Sequence, residues 1–252
     1  MKFNFDYVKL KIKDFENKLN IKNSRYPQYV EPLIEHGCCV IDEFLNEDEV
    51  LELNQIASNA FSKYSKDVSV ESNGADRRLY AIDQKESRLN MIESCSMLDS
   101  IAKEFYGRDP KHFQMLGCIN HTENNIGSGS GWHRDSPYAH QFKFIVYLTD
   151  VNQENGPFEY IKKSHNSECI SQYSKYLNIG VAQNRFSNQD IKMLQDSKVL
   201  DESTVITGKA GTLLMANVRG LHRGAPLTSG SRLATTRYYF PKEIPSHFRV
   251  SK

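Results

Sequence analysis

A mainly β fold, a barrel or sandwich of jelly-roll type with helices packed at its N-terminal side, is predicted by three features of the chain. From about residue 110 the apolar runs become short, rich in β-branched and aromatic residues, and separated by turn residues. Eight such runs can be placed, at 112–121, 131–136, 142–150, 157–162, 203–207, 211–216, 220–224 and 231–240, a number that fits a jelly roll. Before residue 110 the apolar residues recur mostly at helical spacing instead.

The elements follow in order. Phe5, Val8, Ile12, Phe15 and Leu19 recur at alternating steps of three and four, which predicts a helix over 4–20 packed on its own domain through that stripe. Cys38–Ile41 reads as a short strand. Asn46 with Glu49 three residues on is a capping-box start for a helix whose apolar side includes Leu53, Ile56, Ala60 and Phe61. Residues 65–77 are polar, contain Asn73-Gly74 and read as a loop, with a strand at Arg77–Tyr80 that could border a site. Leu98, Ile101, Ala102 and Phe105 mark a further helix stopped at Gly107. Along 142–148, Lys143, Ile145 and Tyr147 share one strand face and Phe142, Phe144, Val146 and Leu148 the other. Residues 1–252 therefore read as one domain: a helical support over 1–110 and a jelly-roll core over 111–241, with a polar, partly helical insertion at 166–202 that suits a lid or binding loop.

Bulk properties narrow the function classes. A net charge of +1 supplies no global field toward nucleic acid or an acidic membrane, so the expected partner is a small molecule. The five cysteines form no CxxC pair, which fits reduced thiols and a cytoplasmic protein. The longest apolar runs, such as Phe144–Leu148, are too short to span a bilayer. Nothing in the chain fixes the oligomeric state.

One constellation carries chemistry. His133-Arg134-Asp135 sets an imidazole and a carboxylate two positions apart, on the same side if the segment is extended. His222 follows 87 positions after Asp135 (222 − 135), inside Gly220-Leu221-His222-Arg223-Gly224. Two histidines and one carboxylate on one face are the facial triad of non-haem Fe(II) oxygenases, with positions left open for cosubstrate and O2. Arg232 lies ten residues beyond His222 (232 − 222), at the start of the next strand, where its guanidinium can grip a carboxylate with two parallel hydrogen bonds. His165 is expected to be structural rather than a ligand, and His121, His140, His112, His36 and His247 have no carboxylate partner at useful spacing.

In these residues the chain resembles the phytanoyl-CoA dioxygenase family, which includes ectoine hydroxylase-like enzymes. The matching motifs are Trp132-His133-Arg134-Asp135, then Asn155-Gly156-Pro157 running into Phe158–Ile161 with Ser164-His165, then His222 and Arg232. Two positions depart: Lys163 replaces the glycine of the usual G-S-H element, and Gly211-Thr212 stands for the usual G-D. The resemblance implies a double-stranded β-helix, Fe(II) on His133, Asp135 and His222, and 2-oxoglutarate and O2 as cosubstrates. It also implies 2-oxoglutarate contacts from Arg232, Asn120 and Lys143, and hydroxylation as the reaction. Two rivals stand beside it: a non-catalytic cupin-like metal- or ligand-binding module, and a non-haem halogenase, disfavoured because Asp135 fills the position a halide needs. A polar mouth is expected from Tyr138, His140, Asn217, Arg219, Arg185 and Arg78, pointing to a polar or anionic metabolite or sugar derivative.

Overall fold

The computed structural model describes residues 5–71, 74–90, 95–120, 122, 124–136, 138 and 141–244. Seven helices, α1 (Phe5–Asn20), α2 (Pro27–Glu35), α3 (Glu47–Lys63), α4 (Ser87–Asn90), α5 (Cys95–Tyr106), α6 (Ser167–Tyr176) and α7 (Asn188–Asp196), accompany ten strands among these residues. The strands are β1 (Cys38–Ile41), β2 (Ser69–Glu71), β3 (Asp76–Tyr80), β4 (Lys111–Asn120), β5 (Phe142–Tyr147), β6 (Phe158–Ile161), β7 (Ser203–Ile206), β8 (Leu213–Asn217), β9 (His222–Gly224) and β10 (Ser231–Phe240). A seven-stranded sheet in the order β1-β8-β5-β10-β4-β3-β2 and a three-stranded sheet in the order β7-β6-β9 are both antiparallel.

Alternation along the strands assigns the two faces of the large sheet. Phe142, Phe144, Val146 and Leu148 bury against Leu53, Ala57, Ile101 and Phe105 of the helices. Phe105 meets Phe142 edge to face at 4.0 Å between centroids, a geometry the aromatic quadrupole favours. Burying each such ring stabilises the fold by about 1.5–3 kcal/mol. The other face, carrying Lys143, Ile145 and Tyr147, looks into a cavity that also receives Phe158 and His222 of the small sheet. Cys38, Phe158, Tyr160, Ile206 and Leu214 close the space between the sheets beside it.

The capping box at Asn46 forms in both directions, Glu49 N–H to Asn46 Oδ1 and Asn46 N–H to Glu49 Oε2, each 2.9 Å. Four features differ from the sequence reading. The first 110 residues are not only a helical support, because β1, β2 and β3 complete the large sheet; β2 and the start of β3 fall in the stretch read as a loop. Helix α2 carried no strong periodic signal and starts on Pro27, whose missing N–H costs nothing in a first turn. Residues 131–136 form no strand; His133 makes single bridges to His222 and Arg185 and the segment otherwise crosses as a loop. The apolar stripe of α1 faces solvent, and the helix instead docks through Leu10 and Asn17.

Candidate active site

The loop that delivers the triad is Gly127-Ser128-Gly129-Ser130-Gly131. Gly129, Ser130 and Gly131 all have positive φ, at 79°, 58° and 85°. The left-handed run turns the chain sharply into His133, which then exchanges two backbone hydrogen bonds with His222, each 2.9 Å. Asp135 N–H is tied to Val218 O at 2.9 Å. Backbone pairing therefore places all three side chains before any ligand arrives.

The imidazoles are oriented the same way. His133 Nδ1 lies 2.8 Å from Gly131 O and His222 Nδ1 lies 2.9 Å from Gly220 O. A carbonyl only accepts, so each Nδ1 carries the proton and each Nε2 presents a lone pair. Asp135 Oδ1 sits 3.3 Å from His133 Nε2 and 3.7 Å from His222 Nε2. One ligand atom from each residue lies within 4.8 Å of the others, so His133, Asp135 and His222 can hold one metal ion. Among the described residues His222 Nε2 is buried with no hydrogen-bond partner, so its lone pair could go to a metal ion.

Electrostatics favour the ligating protonation states. Burial and the neighbouring His133 hold His222 well below the usual histidine range. Burial alone would raise Asp135, but Lys143 and the two imidazoles outweigh it and hold its carboxyl well below the usual range. Lys143 Nζ is 2.5 Å from Asp135 Oδ2 and 4.8 Å from the Tyr238 ring centroid. Burial would lower Lys143; Asp135 and Tyr238 outweigh it, and the ammonium stays charged.

Arg232 is buried beyond the triad on the same cavity wall. One of its N–H groups donates to Gly156 O, in the Asn155-Gly156-Pro157 turn. Gly224 stands bare beside it, where a Cβ would come within 3.2 Å of Arg232 Nη2. Among the described residues Arg232 makes no ion pair, so a buried cation faces the cavity without a protein anion. The cavity measures about 420 Å³ and lies between the two sheets.

The structure thus brings together His133, Asp135, His222, Lys143 and Arg232. Asn120 is not among the residues lining the cavity: Met115, Gly117 and Ile119 face inward, so the two-residue period of β4 turns Asn120 to the other side, where its Oδ1 meets Cys118 Sγ at 3.8 Å. The expected polar mouth also changes. Asn217 and Arg219 are fully buried away from the cavity, and Arg219 pairs with Asp14 of α1 at 2.6 Å. Tyr138 is exposed outside the lining, whereas Arg78 and Arg185 line the cavity. His121, His140 and His247 lie outside the described residues. His165 Nε2 is engaged by Ile34 O at 2.8 Å, and His112 packs on Tyr239.

Two contributions were missed in the sequence. Arg134, the middle residue of the His-x-Asp motif, is buried and clamps the insertion by bonds to Gln183 O, Tyr173 Oη and Val181 O. Asp76 and Ser128 hold Arg78 across the far wall. Neither follows from spacing, although the alternation of β10 does point Tyr238 to the same side as Arg232.

Fold and site together define the class of Fe(II)- and 2-oxoglutarate-dependent oxygenases built on a double-stranded β-helix. The chain belongs to the phytanoyl-CoA dioxygenase (PhyH) family, whose profile matches residues 33–234. Among solved structures, it is similar to the carbocyclase SnoK of nogalamycin biosynthesis, described as non-haem and α-ketoglutarate-dependent (17% identity, 87% of this chain and 85% of that one, TM-score 0.65). It is also similar to EctD from S. alaskensis with bound Fe (16%, 83% and 74%, 0.62). The epimerase SnoN, solved with Fe3+, α-ketoglutarate and nogalamycin RO, is a third (15%, 83% and 81%, 0.62). At these identities the likeness establishes the fold. No curated protein sequence matches the chain. No helix among the described residues is long and apolar enough to cross a membrane.

Proposed function

We propose that the protein is a 2-oxoglutarate-dependent dioxygenase that hydroxylates a small polar or anionic molecule. The observation that carries this reading is the buried, unpartnered His222 Nε2 converging with His133 Nε2 on Asp135 Oδ1. Fe(II) held by these three residues would supply the oxygen chemistry that splits 2-oxoglutarate to succinate and CO2 and transfers an oxygen atom to a C–H bond. Arg232 binds the distal carboxylate of 2-oxoglutarate, its free N–H groups replacing water around that charge. Lys143 holds the second oxygen of Asp135, so the carboxylate points one oxygen at the metal. Asn120 has no part in this reading. Asp135 also favours hydroxylation over halogenation, because a carboxylate stands where halide would bind.

The substrate class rests on charge balance in the cavity. Arg78 pairs with Asp76 at 2.5 Å and Glu71 at 3.1 Å, and Lys143 pairs with Asp135. Arg134 also lines the cavity without an acid but is spent on Gln183 O, Tyr173 Oη and Val181 O. Two lining cations remain without an acid among the described residues, Arg232 in the depth and Arg185 at the exposed rim, where it donates to Gly129 O. One serves the cosubstrate, and the other is left for an anionic or strongly polar group of the substrate. A non-catalytic binding module has no use for the buried Arg232, since an uncompensated buried charge costs several kcal/mol.

The test is succinate release by the Fe(II)-loaded protein against panels of anionic, neutral and lipophilic compounds, with the oxidised product identified by mass. Anionic compounds should stimulate release, Arg185→Ala should weaken that stimulation, and the product should gain one oxygen. A product without added oxygen would remove the hydroxylase reading. Stimulation confined to neutral lipophilic compounds and indifferent to Arg185→Ala would remove the substrate class.

A further inference from the structure

Helix α1 exposes a row of apolar side chains along one face. Phe5, Val8, Ile12, Phe15 and Leu19 are 38–74% exposed. Their spacing of three, four, three and four is the strict seam of a coiled coil rather than the broader stripe of an ordinary surface helix. Writing Phe5, Ile12 and Leu19 as a positions makes Val8 and Phe15 the d positions. Burial then sorts by heptad position without exception from Phe5 to Leu19. Every a, d, e and g residue is exposed, whereas the f residues Leu10 and Asn17 are buried and the b and c residues Asp6, Tyr7, Lys13 and Asp14 are partly buried. The helix is fixed in that orientation from behind. Asp14 pairs with Arg219 at 2.6 Å and accepts from Ser167 N–H at 2.8 Å, and Asn20 donates to Phe105 O at 3.2 Å.

From this arrangement we infer that α1 is a dimerisation helix and that its occupant is a second copy of the same helix, running parallel. The charges beside the seam select the partner and its direction. In a parallel pair the g residue Lys11 of each copy faces the e residue Glu16 of the other, giving two symmetric opposite-charge contacts. Glu16 already meets its own Lys13 through Oε2, which leaves Oε1 for the second copy. An antiparallel pair sets e against e, where Lys9 meets Glu16, but also g against g, where Lys11 meets Lys18 and the gain is offset by like-charge repulsion. A membrane surface fits less well, because an interfacial helix buries a wide apolar face, whereas this seam is a single a/d stripe between Lys9, Lys11, Glu16 and Lys18. The 16-residue helix is about 24 Å long, so the seam spans two heptads. The helix docks on its own domain through the f side, and on the g flank Lys11, Phe15 and Lys18 border a groove with Glu35 and Lys162.

Sedimentation of the full chain from low to high micromolar concentration tests the inference. The wild-type chain should pass from monomer to dimer, and Ile12→Glu with Phe15→Glu should stay monomeric over the whole range. Leu51→Glu, at an exposed apolar residue of α3, should dimerise like wild type. Lys11→Glu should raise the dimer dissociation constant at least about tenfold, and adding Glu16→Lys should restore it. Leu19→Cys should form a disulfide-linked dimer that wild type does not. In an antiparallel pair the two copies of residue 19 stand beyond the roughly 7 Å limit for bridging. A wild-type chain that remains monomeric throughout, or that instead floats with phosphatidylserine vesicles, overturns the inference. So does a dimer unaffected by the Glu pair, or one in which Leu19→Cys fails to link.

Discussion

Replacing Gly129 by alanine should damage the metal site far more than the fold, and Gly131 provides the matched control. Both glycines have left-handed backbones, at φ 79° and 85°. A Cβ at Gly131 meets nothing within 4 Å, so Gly131→Ala adds backbone strain alone. A Cβ at Gly129 would stand 2.2 Å from His133 Cε1 and 2.9 Å from its Nε2. Ordinary contact begins at 3.4 Å, so the imidazole or the loop must give by at least 1.2 Å (3.4 − 2.2). Metal–ligand distances tolerate only about 0.2 Å. Strain of about 1–2 kcal/mol should therefore appear in both variants, lowering Tm by roughly 2–8 °C in a chain of this size. Only Gly129→Ala should lose metal affinity, by at least about tenfold, the lower end of what disturbed ligand orientation costs. Calorimetric titration with Co(II) in the absence of 2-oxoglutarate, paired with thermal melts, separates the two effects. If Gly129→Ala binds Co(II) as tightly as Gly131→Ala, the glycine is not the wall that positions His133.

Other outcomes follow from the same geometry. His133→Ala, Asp135→Ala and His222→Ala should each abolish metal binding, whereas His165→Ala, at a side chain engaged with Ile34 O, should leave it intact. Stripped wild-type protein should gain about 2.7 kcal/mol of stability at Co(II) a hundredfold above its Kd, and His222→Ala should gain none in a melt series. Arg232→Ala should weaken 2-oxoglutarate binding by roughly 1.5–3 kcal/mol, read as Kd on the Co(II)-loaded protein, with Co(II) affinity itself unchanged. Arg134→Met should cost roughly 2–4 kcal/mol and make residues 166–202 the first site cut in limited proteolysis, because three buried partners lose their donor.

The β core was legible in the sequence because β-rich runs recur between turn residues, and along β5 the one charged residue, Lys143, marks the face it shares with Ile145 and Tyr147 against that of Phe142, Phe144 and Val146, although both faces are largely buried. The convergence of His133, Asp135 and His222 was legible for a different reason: the proposed chemistry restricts residue types so narrowly that their spacing singles them out. What could not be read is direction. Asn120 sits at the end of β4, one residue off the inward register, and a single step reverses a side chain. Arg219 was assigned to the mouth from its nearness to His222, but the backbone turns between them and Asp14, 205 positions earlier, captures it. For α1 the periodicity was right and the face was wrong. A helix stripe says which residues share a side, and only the tertiary anchors Asp14 and Asn17 say which side the domain takes.

The two histidines proposed to hold the metal are presented by one device used twice. Gly131-Trp132-His133 and Gly220-Leu221-His222 have the same spacing, and in each the imidazole donates Nδ1–H to the carbonyl of the glycine two positions earlier. The two units then bridge each other antiparallel through paired backbone bonds. Tautomer and ring orientation are thus fixed within three residues of each ligand, and the distance between ligands by the bridge. Gly220 is required for a second reason, since a Cβ there would overlap the Tyr160 hydroxyl, which donates to Asn217 O at 2.9 Å. Asp135 lacks such a local partner and takes its orientation from across the sheet, through Lys143. The histidine pair therefore forms the rigid half of the site. The carboxylate is the half whose position depends on the large sheet, and through Lys143 and Tyr238 it is coupled to the same wall that holds Arg232.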